Sequence, residues 1–104
     1  MIINNPKQKL EKAARCLRTL AHPTRLLIIH LLADGERSVQ ELEKAAGASQ
    51  SNMSQHLNLL KDKEILASRR VANQVFYRLD NPRMLELTSL TRELFCKQET
   101  EEKP

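Results

Sequence analysis

Between Gly47 and Lys63 the chain gathers side chains that could read a polar surface. Gln50, Ser51, Asn52, Ser54, Gln55 and His56 are hydrogen-bonding and nearly all uncharged. Met53, Leu57 and Leu60 recur at helical spacing among them, so the polar groups are expected on the outward face of a helix capped by Ser49. A helix face that meets only water is usually filled with Lys and Glu. Amides and hydroxyls instead suit base edges and phosphates, and Gln or Asn can pair two-pronged with adenine. A plain polar surface helix is the competing reading of this segment taken alone. Arg69, Arg70 and Asn73 follow on what reads as the arm and tip of a hairpin, placed to grip the phosphate backbone or the minor groove. Ser38 and Ser49, at the starts of the two helices of this unit, complete the expected DNA contacts. The other groups with chemistry to offer are Cys16, Cys96, His22 and His30.

The elements that must position these residues are mostly helical, since only two Gly and four Pro punctuate the chain. From Pro6 to Ala21 the apolar residues Leu10, Ala13, Ala14, Leu17, Leu20 and Ala21 form an i, i+3, i+4, i+7 stripe. Pro23 starts a second helix, to about Ala33, that buries most of Leu26, Leu27, Ile28 and Ile29 and stops at Asp34-Gly35. Ser38-Val39-Gln40-Glu41 is a capping box opening a short helix to about Ala46, which Gly47 ends. After the helix to about Lys63 the period changes. Val71, then Val75, Tyr77 and Leu79, alternate with polar groups around Ala72-Asn73, which predicts a β-hairpin. Asn81-Pro82 restarts a helix with Met84, Leu87, Leu90, Leu94 and Phe95 on its apolar stripe, and the charged tail Glu99 to Pro104 is expected to fray. The predicted order is α-α-α-α-β-β-α, mostly α with a β-hairpin, in one domain over residues 1–104 with an ordered core at about 6–98.

Length and composition agree with one small globular domain. The 104 residues leave no room for a second core, and 40% hydrophobic with 29% charged residues excludes a disordered or membranous chain. With 3% aromatic residues and no Trp, the core must be built from Leu, Ile and Ala, and a core that lean often gains from a partner subunit. Met1 to Gln8 has no apolar run of the secretory kind, and no stretch approaches the roughly 20 apolar residues that span a bilayer. The expected location is the cytoplasm, where two cysteines are thiols. The net charge of +4 is unevenly spread: residues 1–78 are basic on balance and 79–104 acidic. That suits a polyanion on one face and another task at the far end.

Two short helices joined by a tight Gly-containing turn can lay the second helix in the major groove. The segments Ala21-His22-Pro23-Thr24-Arg25-Leu26, Ser38-Val39-Gln40-Glu41-Leu42, Ser49-Gln50-Ser51-Asn52-Met53-Ser54-Gln55-His56-Leu57, Leu60 and Val75-Phe76-Tyr77-Arg78-Leu79 resemble the ArsR/SmtB family of bacterial repressors. The likeness runs from about Leu10 to Lys97, in order and with family spacing. It implies a winged helix-turn-helix homodimer joined through its first and last helices. Such a dimer binds double-stranded DNA at a near-palindromic operator and leaves it when an inducer arrives.

The resemblance also bears on what is sensed. The family's thiol site for arsenic, lead or cadmium places Cys-x-Cys after Ser38, where this chain has Val39-Gln40-Glu41-Leu42. Its zinc, cobalt or nickel site uses Asp and His pairs on the last helix, and no His follows His56. Neither metal site is expected, nor any cofactor. Leu94-Phe95-Cys96-Lys97 resembles the end of the last helix in the branch that senses persulfides or oxidants through thiols. That branch has a second Cys where this chain has His30, and Cys16 on the first helix is the substitute on offer. A Cys16–Cys96 cross-link requires Cα atoms within about 7 Å. Buried packing is the alternative role for both thiols, and arsenite, which favours soft thiolates, is an alternative inducer. His22 is expected to be structural, His30 to lie near the second helix's apolar face, and His56 to face DNA rather than a metal.

An enzyme finds no support: there is no Gly-rich phosphate loop, no His-Glu metal pair, and no Ser or Cys with a His at motif spacing. The stronger rival is a winged-helix module for protein contacts without DNA binding, for which an acidic or hydrophobic recognition helix would be the signature.

Overall fold

In a computed structural model, which describes residues 5–96, each of the first four helices begins on a side chain that accepts a free backbone amide. Asn5 accepts from the Lys7 N–H and opens α1, Pro6–Leu20, with proline in its first turn. His22 does the same for α2, Pro23–Leu31, its Nδ1 accepting the Thr24 N–H at 3.0 Å. Ser38 and Glu41 form the reciprocal capping box of α3, Val39–Ala46. Ser49 accepts from the Asn52 N–H and opens α4, Gln50–Asp62. The last helix, α5, is Met84–Cys96. It starts two residues beyond Pro82, because Asn81 and Pro82 form the preceding turn and Asn81 Oδ1 accepts the Arg83 N–H. Lys97 and the tail Glu99 to Pro104, expected to fray, lie outside the described residues.

The hairpin consists of β2, Leu66–Val71, and β3, Gln74–Leu79, in register from Leu66 opposite Leu79 to Val71 opposite Gln74. Its two-residue turn puts Ala72 at φ 56°, a conformation that a β-carbon disfavours. A third strand, β1, Arg37–Ser38, extends the predicted order. It pairs antiparallel with β3, Arg37 opposite Tyr77 and Ser38 opposite Phe76, so the sheet order is β1-β3-β2. Two residues carry no periodicity by which a sequence could announce them.

The core lies between α2, α3, α4 and the base of the sheet. Ile28, Ile29, Leu42, Met53, Leu57 and Leu60 are fully enclosed, with Leu20, Leu32, Ile65, Leu66 and Tyr77 around them. Within α2, Ile28 and Ile29 go inside, while Leu26 remains exposed and His30, expected near the apolar face, is exposed too. The terminal helices are different. Leu20 is the one buried residue of α1, and α5 has none. Their apolar stripes are thus largely left open: Leu10 and Leu17 on α1, and Leu87, Leu90, Leu94 and Phe95 on α5.

Candidate nucleic-acid interface

Three features set the attitude of α4. Gly47 ends α3 in the left-handed conformation, φ 67°, turning the chain tightly enough to start α4 three residues later. Ser49 caps the new helix. Met53, Leu57 and Leu60, spaced by four and three residues, then pin one side of α4 into the core. The opposite side carries Gln50, Ser51, Asn52, Ser54 and Gln55, all exposed, and Asn58 extends this row by one turn. Asn58 was missed as a site residue although its spacing from Ser54 and Gln55 places it there. The result is a continuous strip of amides and hydroxyls that can donate to and accept from a groove floor.

Two residues expected among the DNA contacts lie elsewhere. His56 is half buried, its Nδ1 accepting from Arg25 Nε at 3.1 Å and its ring centre 4.5 Å from that of His22. Burial, reinforced by the adjacent Arg25 guanidinium, holds His56 below the usual imidazole range. It sits on the edge of the helix next to the buried side, where a neighbouring element claims it. Ser38 is 4% exposed and its Oγ is engaged with the Glu41 N–H, so it orients α3 rather than facing solvent.

The wing separates its two arginines. Successive residues of a strand point to opposite faces, so Arg69 and Arg70 diverge. Arg69 donates from Nε and Nη2 to the two carboxylate oxygens of Glu36, each at 2.8 Å, and its guanidinium lies 5.6 Å from the Phe76 ring centre. The Arg69 hydrogen bonds hold the Glu36 carboxyl below its usual range. In the single chain Arg69 thus links β2 to the segment before β1, with 57% of its side chain still exposed. Arg70 is exposed and, among the described residues, makes no ion pair; Asn73 is exposed at the tip. Glu36 was not singled out from sequence, since its partner lies 33 residues away.

Both thiols are free, one on α1 and one at the end of α5. Cys16 is half buried and lines a cavity of about 270 Å³ with Lys12 and Arg15 of α1 and Asp62, Lys63 and Glu64 at the end of α4. Cys96, the last residue of α5, is exposed and does not line it. His30 borders a smaller cavity of about 100 Å³ between α2 and α5, with Leu26, Thr88, Thr91 and Arg92. Among the described residues no three His, Cys, Asp or Glu side chains converge as a metal site would require, and no helix is long and apolar enough to cross a membrane.

Comparison with known proteins matches residues 22–68 to the family described as bacterial regulatory protein, arsR family. The chain is 38% identical over 93 residues to the biofilm growth-associated repressor of Xylella fastidiosa, covering 89% of this chain and 82% of that protein. Its fold superposes on reduced HlyU from Vibrio cholerae with a TM-score of 0.78, at 33% identity, over 90% of this chain and 99% of the other. A homodimeric winged helix-turn-helix DNA-binding domain from Mycobacterium bovis, a possible ArsR-family regulator, gives a TM-score of 0.80 at 26% identity, covering 99% and 95%.

Proposed function

The chain belongs to the ArsR family of bacterial regulatory proteins, and from that premise we propose that it is a cytoplasmic, homodimeric repressor that holds a near-palindromic operator until an inducer releases it. The observation that carries the reading is the exposed, uncharged row Gln50, Ser51, Asn52, Ser54, Gln55 and Asn58 on a helix whose other side is locked into the core. Gln50 and Gln55 read base edges, the hydroxyls of Ser49, Ser51 and Ser54 hold the backbone, and Arg70 and Asn73 track the flanking phosphates or minor groove. The two subunits join through α1 and α5, whose Leu10, Leu17, Leu87, Leu90 and Leu94 stay exposed within one chain. A relative described as a repressor and a homodimeric structural neighbour support both parts.

The test is selection of duplexes from a random pool, followed by gel shifts with the selected duplex and a scrambled one. Enrichment of a two-fold symmetric sequence supports the proposal. Equal binding to both duplexes, or to neither, overturns it in favour of a protein-contact module. Gln50→Ala or Gln55→Ala then costs about 1–3 kcal/mol of discrimination at one base position.

For the inducer, we propose thiol chemistry at Cys16 and Cys96. Cys96 is open to solvent, and half-buried Cys16 lines a cavity with Lys12, Arg15 and Lys63 and with Asp62 and Glu64. The two thiols sit on different helices, α1 and α5, the pair proposed to form the dimer interface. A peroxide or organic persulfide takes electrons from the thiols, and cellular reductants reset them. Mass spectrometry of treated protein, beside the gel shift, decides the matter. Cys16→Ser and Cys96→Ser variants that release DNA as the parent does would make both cysteines packing residues. Release by arsenite alone would favour the soft-metal reading.

A further inference from the structure

We infer that Arg25 is a positioning residue for DNA reading: one guanidinium fastens the recognition helix α4, through His56, to the end of the α1 helix, through the Thr19 carbonyl. Its Nε donates to His56 Nδ1 at 3.1 Å and its Nη1 to Thr19 O at 2.8 Å. The two bonds use different nitrogens of one rigid plane, so their angle is set by the guanidinium itself. The apolar anchors of α4, Met53, Leu57 and Leu60, fix its depth and which face turns inward, but such contacts are non-directional and set the exact angle about its axis less sharply than a hydrogen bond does. A directional bond at His56 supplies what they lack. With Nδ1 accepting, the His56 proton sits on Nε2, and burial beside the Arg25 guanidinium favours that neutral form. The His22 ring, fixed by its own bond from the Thr24 N–H, also packs against His56, the ring centres 4.5 Å apart and the planes tilted by 53°. The face bearing Gln50, Ser54 and Gln55 is thereby held at a set angle relative to α1, one of the two helices assigned to the dimer interface.

This inference rests on the DNA-binding reading, and its test separates the two. The probes are the duplex that the parent protein selects from a random pool and a scrambled duplex of equal composition. His56→Phe keeps a ring against His22 but offers no acceptor. His56→Asn presents a carbonyl oxygen near the place of Nδ1. Arg25→Lys serves one acceptor at a time. Each variant is also checked for thermal midpoint, dimer mass and the salt dependence of binding. The expected result is a loss of about 3- to 10-fold in the selected-to-scrambled affinity ratio for His56→Phe. His56→Asn keeps the ratio, Arg25→Lys falls between, and the salt dependence is unchanged throughout. A His56→Phe protein that discriminates as the parent does overturns the inference. So does an Arg25→Gln protein whose salt slope falls, because Arg25 would then be touching phosphate. If His56→Phe does not fold, the ratio measured for Arg25→Gln decides in its place. A pool from which the parent enriches nothing removes the DNA reading itself, before any variant is compared.

Discussion

Truncating the uncovered leucines of α5 should dissociate the dimer while leaving each subunit folded. Leu90 is 51% and Leu94 60% exposed in the single chain, so about half of each side chain remains to be buried by a partner. Full burial of a leucine is worth about 1.5–3 kcal/mol, so the half still open contributes about 1 kcal/mol. A two-fold interface counts each position twice, giving about 2 kcal/mol per substitution, or roughly a 30-fold rise in the dimer Kd. Leu90→Ala with Leu94→Ala together would raise it by about 10³-fold if the two effects add. The subunit itself should lose little stability, since α5 places no fully buried residue in the core. Sedimentation or light scattering over a dilution series measures the dimer, and circular dichroism checks the fold. A parent that is monomeric at micromolar concentration, or a double variant with an unaltered Kd, would refute the reasoning. Unfolding of the variant under conditions where the parent stays folded would show instead that α5 is held by intramolecular packing.

Further outcomes follow from the wing, the turn and the histidine. Arg70→Gln should weaken binding to all duplexes and reduce the slope of log K against log salt by about 0.9 for each phosphate no longer neutralised; Glu36→Gln, which frees Arg69, should leave that slope unchanged or steepen it. A slope reduced by Glu36→Gln would mean that the Glu36–Arg69 pair holds the wing in its DNA-binding position. Gly47→Ala should cost about 1 kcal/mol in denaturant unfolding, from the left-handed backbone alone, since an added Cβ meets nothing within 4 Å. His56 makes stability depend on pH: it is held below the usual imidazole range in the fold but titrates near 6.5 when unfolded. The unfolded chain therefore takes up the proton more readily, so stability is full above about pH 6.5 and declines as pH falls below it. His56→Asn should flatten that decline in denaturant titrations between about pH 5 and 8.

What the sequence determined by itself is whatever depends on neighbours along the chain. The capping box of Ser38 and Glu41, the Ser49 cap, the proline-started α2 and the Gly47 turn are bonds or dihedrals spanning a few residues, and each was legible in order. The amphipathic stripes were equally plain, because Met53, Leu57 and Leu60 repeat with the helix, and the polar strip of α4 followed as their complement. The hairpin was readable from alternation around Ala72-Asn73. Tertiary structure decided which groups on the edges of those stripes face water. Arg25 with His56 and Arg69 with Glu36 pair across 31 and 33 residues, where no local pattern reaches. His56 and Ser38 lie on polar stretches of sequence, yet packing draws one against α2 and buries the other at the start of α3. Cys16 and Cys96 were equally eligible as partners by type, but type carries no distance. Only the placement of α1 against the end of α4 puts Cys16 in a cavity that Cys96 does not border.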